Sequence, residues 1–443
     1  MEGSISTVRS ITRRKAIVAA AAIFSAVAGA QTAMAQQVGD VFYIALENHN
    51  FTQPSSLNSS IDQLFGDTTA APYLNSLITP GNPNAAQVSY ATNYNNAGLG
   101  EHPSEPNYLW EEAGSNFNPH LTGALGSSGN VNVATSTTQG TINGTTILND
   151  NDSSNSSGNI FTNVPHLTGQ LNGAGVSWKN YQEDYQITSA TVPAGGSPTV
   201  SKSGTSTTVQ NPYNGSFQYN YAEKHNPMAF FADTATQNIA TMSQLAGDLS
   251  GNNVGKYNWI TPNQYNDMHS QLSTPFTYNG VTYPGSAAKV SGLINDQQMI
   301  AQGDNYLSIV VPEIMASQAY KNNGAIVIWN DETEGGDALG ETSTEIVISP
   351  LAKGNAYASS VSLSHSSDVK TLEELFGVPF INNPIPTSET FAGGGYATVP
   401  GANDLSDLFV AGSIPSPVPE PTTLRLLSVG GVALLARRRR RTA

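Results

Sequence analysis

The chain has 443 residues, 38% of them hydrophobic, with 18 basic and 33 acidic side chains and no cysteine. That length suits one large α/β domain or two smaller ones. The lack of cysteine excludes a disulfide framework and any thiolate metal site, so a metal would be held by carboxylate, amide, hydroxyl or imidazole groups, as calcium, magnesium, manganese or a cysteine-free zinc site would be. Between the two basic ends (Arg9, Arg13, Arg14 and Lys15; Arg425 and Arg437 to Arg441) 31 acids face eight lysines and no arginine, a net charge of about −23 that disfavours nucleic acid and anionic membrane surfaces as partners and removes the bidentate arginine clamp for phosphate.

Residues 1–35 read as an export signal: Arg13-Arg14-Lys15 precede an apolar run from Ala16 to Ala30, and Ala33-Met34-Ala35 forms a small-x-small cleavage site. Thr12-Arg13-Arg14 leaves both twin-arginine and general export open. Val41–Leu46 (VFYIAL) is a short β-branched and aromatic run expected to form a buried strand, with Glu47-Asn48-His49-Asn50 where it ends. Open α/β sheets bind ligands at the carboxyl ends of their strands, and the oxygen-bearing side chains there suit a hard cation or simply close the strand in a polar turn.

Ala71–Ile78 is expected to be a helix. The stretch His102-Pro103-Ser104-Glu105-Pro106-Asn107-Tyr108 then sets a hydroxyl beside a histidine at a helix start, with Pro106 suited to the first helical position and a helix expected over Pro106–Ala113. Ser104 at or near the N-cap is either an ordinary cap or a nucleophile placed where free N–H groups favour a phosphoryl anion, and Asn107 can turn its amide to the same spot. Residues 121–160 and 190–215, rich in Gly, Ser, Thr and Asn, read as loop insertions. Strands are expected at Val176–Tyr181, Tyr257–Ile260, Ala325–Trp329 and Glu345–Ser349, and helices at Pro312–Tyr320 and Val369–Phe376, the last stopped by Gly377. Polar clusters follow these elements: Lys224-His225-Asn226-Pro227, Thr261-Pro262-Asn263 with Asp267-Met268-His269, Asn330-Asp331-Glu332, and His365-Ser366. Strands and helices alternate, which implies an α/β fold.

Taken in this order, over about residues 40–380, these clusters resemble the phosphoesterase family of the alkaline phosphatase superfamily, which includes secreted acid phosphatases and phospholipases C. HPSEPNY at 102–108 resembles the acid phosphatase branch most. The resemblance implies a three-layer α/β/α sandwich with a mainly parallel central sheet, here spanning residues 36–411. It implies Ser104 as nucleophile, with His102, Asn107, His225, His269 and His365 around the phosphate and Asp267 nearby. It further implies a divalent cation on Glu47, Asn48, Asp331 and Glu332. Trp329-Asn330 depart from the family's usual lead into the acidic pair. Residues 412–423 form a Pro/Ser linker, and 419–443 resemble the PEP-CTERM sorting signal, with Pro419-Glu420-Pro421, an apolar run interrupted by Arg425, and an arginine cluster. That likeness implies an exported protein of a Gram-negative bacterium, whose partners are the export machinery and an exosortase and whose membrane contact is confined to the tail.

The expected reaction is hydrolysis of phosphate monoesters by in-line attack of Ser104, through a phosphoserine that water then cleaves. Two alternatives stand beside it: a phospholipase C-type phosphodiesterase, and a non-catalytic surface or matrix protein on the same scaffold.

Overall fold

Along Val41–Leu46 (β1) alternate side chains face opposite ways: Phe42, Ile44 and Leu46 join one buried cluster, while Val41, Tyr43 and Ala45 join another. A strand buried on both faces needs a layer on each side, and helices supply them. The computed structural model describes residues 36–56, 62–96, 104–115, 141–142, 145–146, 161, 163–185, 204–205, 218–219, 221–235, 237–285, 296–334, 340–383 and 398–415. The export signal, His102, most of both loop insertions and the tail from 416 lie outside them.

In the unit from Gln37 onward, the sheet contains β1, β2 (Val88–Ala91), β3 (Trp178–Gln182), β4 (Ile239–Thr241), β5 (Tyr257–Thr261), β6 (Ala325–Asn330), β7 (Glu345–Ile348) and β8 (Tyr357–Ser359), in the spatial order β8-β2-β7-β6-β1-β5-β3-β4. β7 runs antiparallel to both neighbours, and every other pairing is parallel. Helices α1 (Pro72–Leu77), α4 (Met242–Gly251), α5 (Asp296–Ala316) and α6 (Gln318–Lys321) cover one face. Helices α2 (Ser104–Ala113), α3 (Leu167–Ala174) and α7 (His365–Phe376) cover the other. The result is an α/β/α sandwich with a mainly parallel sheet.

Three elements differ from the sequence reading. Pro312 does not start a helix but lies inside the 21 residues of α5. An internal proline removes one hydrogen bond and crowds the preceding turn. Fully buried Ile300, Leu307, Val310, Val311 and Ile314 hold the helix on the sheet, each contributing roughly 1.5–3 kcal/mol, which outweighs the interruption. α2 begins at Ser104 and α7 at His365, each ahead of its expected start, so both residues stand in a first turn. Asp304 of α5 caps α1, which has no side-chain cap of its own, by accepting from the N–H groups of Tyr73 at 2.8 Å and Leu74 at 2.7 Å.

Glu112, near the end of α2, clamps α3 in a similar way. Its Oε1 accepts from the Thr168 N–H at 2.9 Å and faces His166 Nδ1 at 2.6 Å, while His166 Nε2 meets Asp233 Oδ1 at 2.9 Å. Burial alone would lower the His166 pKa, but Asp233 and Glu112 push it up to about 9. Its raised folded value makes the clamp fully stabilising below the unfolded value of 6.5 and progressively lost as pH rises through about 9. The contribution is on the order of 2 kcal/mol once the exposure of Asp233 is allowed for. Thermal unfolding followed from about pH 6 to pH 10 should show this decline in the wild type and a flatter profile in His166→Gln. Identical slopes would remove the clamp's role.

Candidate active and metal centre

The in-register parallel pairing of the three central strands determines where the polar clusters go. β1 pairs Leu46 with Asn330 of β6 and Ile44 with Ile260 of β5, so all three strands end at the same edge. Glu47 therefore emerges beside Asp331. The Asp331 N–H donates to the Leu46 carbonyl at 3.2 Å, and the Asn48 N–H donates to Asp331 Oδ1 at 3.0 Å. From the loop after β5, the Asp267 carbonyl accepts from the Glu47 N–H at 2.8 Å.

Two residues bend the chain here in the left-handed region, Asn48 at φ 45° and Met268 at φ 82°. Asparagine tolerates this conformation, whereas methionine holds it only under constraint from its surroundings. That constraint is visible. Met268 is fully buried against Gly303 of α5, where an added Cβ would stand 2.3 Å from Met268 Cγ. On the other side, Asp267 Oδ1 accepts from the His269 N–H at 2.8 Å.

Ser104, in the first turn of α2, donates from Oγ to Glu47 Oε2 at 2.9 Å and receives Lys224 Nζ at 3.5 Å. One turn on, Tyr108 stacks on the His225 ring with centroids 5.0 Å apart and meets Trp259 and Trp329 edge-on. The Lys224-His225 segment is tied to the sheet where Thr261 Oγ1 donates to the His225 carbonyl at 3.0 Å. Asn107 donates from Nδ2 to Glu332 Oε2 at 3.1 Å. His365 Nε2 faces two acceptors, Asn107 Oδ1 at 3.2 Å and the Asp331 carbonyl at 2.8 Å, so this nitrogen carries the proton. Its Nδ1 lies 3.0 Å from the Tyr94 hydroxyl.

His225 stands between two carboxylates, with Nε2 2.8 Å from Glu47 Oε1 and Nδ1 3.3 Å from Asp267 Oδ2. Neither contact has the alignment of a hydrogen bond. Glu47 Oε1, His225 Nε2, Asp267 Oδ2 and Asp331 Oδ2 are all buried polar atoms without a hydrogen-bond partner. Ligand atoms of Glu47, His225 and Asp267 fall within 4.8 Å of one another. Leaving such atoms unsatisfied costs about 1–3 kcal/mol each, and more when they are charged.

The titration directions agree with this geometry. Burial, followed by the charges of Glu47 and Glu332, raises Asp331 well above the usual carboxylate range, and burial lifts Asp267 to about 6. Glu47 is opposed by burial, yet the His225 imidazole holds it well below its ordinary value. Burial pushes His269 down to about 4. Two carboxylates driven toward their neutral forms beside a third that stays ionised define a place short of positive charge. A divalent cation with oxygen and imidazole ligands fits this donor set.

Of the residues singled out in the sequence, Glu47, Ser104, His225, Asp267 and Asp331 converge on this point. Asn107, Glu332 and His365 form an adjoining hydrogen-bonded group. Asn48 reaches Asp331 through its backbone. His269, half-buried, faces Ser270 Oγ at 3.0 Å through Nδ1, with its ring 5.7 Å from that of His225. Lys224 and Tyr108, which stood in the motifs without a role, and Tyr94, which did not, also lie at the site. Lys224 could have been found as the single base next to a histidine cluster in an otherwise acidic chain. Nothing local marks Tyr94.

Residues 99–279 match the model of the Phosphoesterase family. The class of protein this defines is a hydrolase acting on phosphoric esters. No curated protein matches the chain. Among solved structures, the chain is similar to a lipoteichoic acid synthase from Listeria monocytogenes, at 9% identity over 84% of this chain and 77% of that one with a TM-score of 0.43. It is also similar to a phosphonate monoester hydrolase of Agrobacterium radiobacter, at 9% identity over 86% and 78% with a TM-score of 0.38. A third similar structure is a protein in the alkaline phosphatase superfamily from Vibrio parahaemolyticus, at 9% identity over 78% and 68% with a TM-score of 0.39.

The close approach of Gly303 to Met268 gives a remote test of the centre. Gly303→Ala should displace Met268, and Asp267 with it, weakening divalent-cation binding by about tenfold or more in a protein that still folds. Titration of metal-stripped protein by calorimetry measures this, and unchanged affinity would separate Asp267 from the centre.

Proposed function

We propose that this protein is an exported, metal-dependent phosphatase that hydrolyses phosphate monoesters through a phosphoserine on Ser104. The observation that carries the reading is the Ser104 hydroxyl hydrogen-bonded to Glu47 within a group of buried carboxylate and imidazole atoms that lack partners. Glu47, Asp267 and Asp331, with one nitrogen of His225, would hold the cation, and the family likeness adds Asn48 and Glu332. When bound, such a cation lowers the pKa of the serine hydroxyl and neutralises a phosphoryl oxygen.

The chain's own residues do the remaining work. Glu47 Oε2 orients the Ser104 hydroxyl and would take its proton as Oγ bonds to phosphorus in line and the bond from phosphorus to the ester oxygen breaks. Lys224 supplies the positive charge that arginine would otherwise bring, next to the attacking oxygen. Tyr108 fixes the plane of the His225 ring by stacking. His365 spends its Nε2 proton on Asn107 and the Asp331 carbonyl, so it positions the acidic loop rather than protonating the leaving group. That task falls to His269, which becomes a better proton source as pH falls toward about 4, so acid conditions favour the reaction. His102 lies outside the described residues and keeps the pocket role its motif implies. The leader at 1–35 and the PEP-CTERM-like tail at 419–443 would send the protein to the periplasm, cell surface or matrix. Among the described residues no helix is long and apolar enough to cross a membrane, and the tail is not among them.

Metal-stripped protein lacking leader and tail should cleave p-nitrophenyl phosphate only after a divalent cation is restored, and should prefer it to bis-p-nitrophenyl phosphate. Ser104→Ala should lose this turnover while its circular dichroism stays native. Activity in that variant would refute the nucleophile, and preference for the diester would make the protein a phosphodiesterase. His269→Gln should slow alkyl phosphates by about a hundredfold while sparing p-nitrophenyl phosphate, whose leaving group needs no proton. Equal losses on both substrates would remove His269 as the acid.

A further inference from the structure

The peptide group between Glu47 and Asn48 is gripped by three side chains. Its N–H donates to Asp331 Oδ1 at 3.0 Å. Its carbonyl accepts twice, from His49 Nδ1 at 3.0 Å and from Asn330 Nδ2 at 3.2 Å. A peptide group is planar, so holding its oxygen and its hydrogen fixes the whole plane. The local sequence prepares this grip. Asn48 turns the chain in the left-handed region at φ 45°, and the turn brings the His49 ring back to the carbonyl two residues before it. Asn330 ends β6, where the register sets it beside Leu46, so its amide reaches the next carbonyl along β1.

Both side chains are interior, His49 at 1% exposure and Asn330 fully buried. The His49 ring lies between two acceptors, the Glu47 carbonyl and Asp296 Oδ1, the latter 3.0 Å from Nε2, so both nitrogens carry protons. Asp296, in the first turn of α5, accepts through Oδ2 from the Asp62 N–H at 2.8 Å, which anchors the ring to that helix. Asn330 uses only half of its amide, because Oδ1 is buried without a hydrogen-bond partner. An orphaned buried oxygen opposes folding, and an apolar side chain of the same shape would avoid it. What the amide contributes is the position of the Glu47 carbonyl.

We propose that His49 and Asn330 are positioning residues for the cation: by fixing the Glu47–Asn48 peptide plane they set the Glu47 carboxylate and Asp331 Oδ2 at ligand spacing. The inference rests on the reading of Glu47 and Asp331 as cation ligands. At one end of the plane the Glu47 side chain departs toward Ser104 Oγ at 2.9 Å and His225 Nε2 at 2.8 Å. At the other end the Asn48 N–H, together with the Glu332 N–H at 2.7 Å, occupies Asp331 Oδ1 and leaves Oδ2, which has no hydrogen-bond partner, for the cation. Rotation of the plane would turn the carbonyl against the Asp331 carboxylate, oxygen to oxygen.

Two substitutions at one position separate this role from the ion pair with Asp296. In His49→Asn the amide nitrogen stands where Nδ1 stood, and in His49→Gln it reaches to where Nε2 stood. His49→Asn should therefore lose Asp296 and keep the carbonyl: Tm falls, while manganese affinity stays within about threefold of wild type. His49→Gln should keep Asp296 and lose the carbonyl, so that affinity falls about tenfold or more at a higher Tm than His49→Asn. Asn330→Leu should lose a similar factor with Tm unchanged. Free manganese, read by electron paramagnetic resonance on the metal-stripped full chain, measures each affinity. Weaker binding in His49→Asn than in His49→Gln, or wild-type affinity in His49→Gln or in folded Asn330→Leu, would overturn the proposal while Glu47→Gln still loses the metal. Wild-type affinity in Glu47→Gln would overturn the reading of the centre itself, and the positioning role with it. Should Asn330→Leu fail to fold, the two His49 variants still decide.

Discussion

The parallel, in-register pairing of β1 with β5 and β6 is the constraint on which the site depends. Because the strands run the same way and end together, the residue after β1 and the residue after β6 become neighbours, and the loop leaving β5 closes over them. Acidic side chains do not gather spontaneously, since their repulsion rises steeply as water is excluded. The backbone ladder assembles them, and its stability comes from Ile, Val, Phe and Trp side chains buried on both faces of the sheet.

A second device delivers the Ser104 hydroxyl. α2 is buried over its whole length and presents different residues to different neighbours. Ser104 meets Glu47, Asn107 meets Glu332, Tyr108 stacks on His225, and Glu112 grips the start of α3. A helix anchored at so many points holds its first-turn hydroxyl in one place, the preorganisation that the proposed attack by Ser104 requires. The surrounding aromatic side chains, Tyr108, Trp259 and Trp329, exclude water and strengthen every charge interaction within.

Much of the sheet was legible in the chain. VFYIAL, YNWI, AIVIW and EIVIS are short apolar runs that end in polar residues, and each forms the expected strand within a residue or two. Less legible was the antiparallel direction of β7, because an apolar run reads the same both ways. The length of α5 was hidden by Pro312, since a proline normally ends a helix and only packing on the sheet overrides it. Helix starts at Ser104 and His365 came earlier than expected; at His365 the start is set by a local capping box in which the Ser364 N–H donates to Ser367 Oγ at 3.0 Å.

The sequence by itself determined which side chains were available for chemistry: a serine beside a histidine, acids after apolar strands, no cysteine, and no arginine between the ends. These are covalent facts, and they limit the chemistry to oxygen and imidazole ligands. Only the tertiary structure decided which of these residues share a point in space. It joined Glu47 to His225 and Asp267 and set Lys224 against Ser104. The physical reason is that proximity across hundreds of residues is set by strand register and helix packing, which act through the whole core, whereas a motif records only its immediate neighbours.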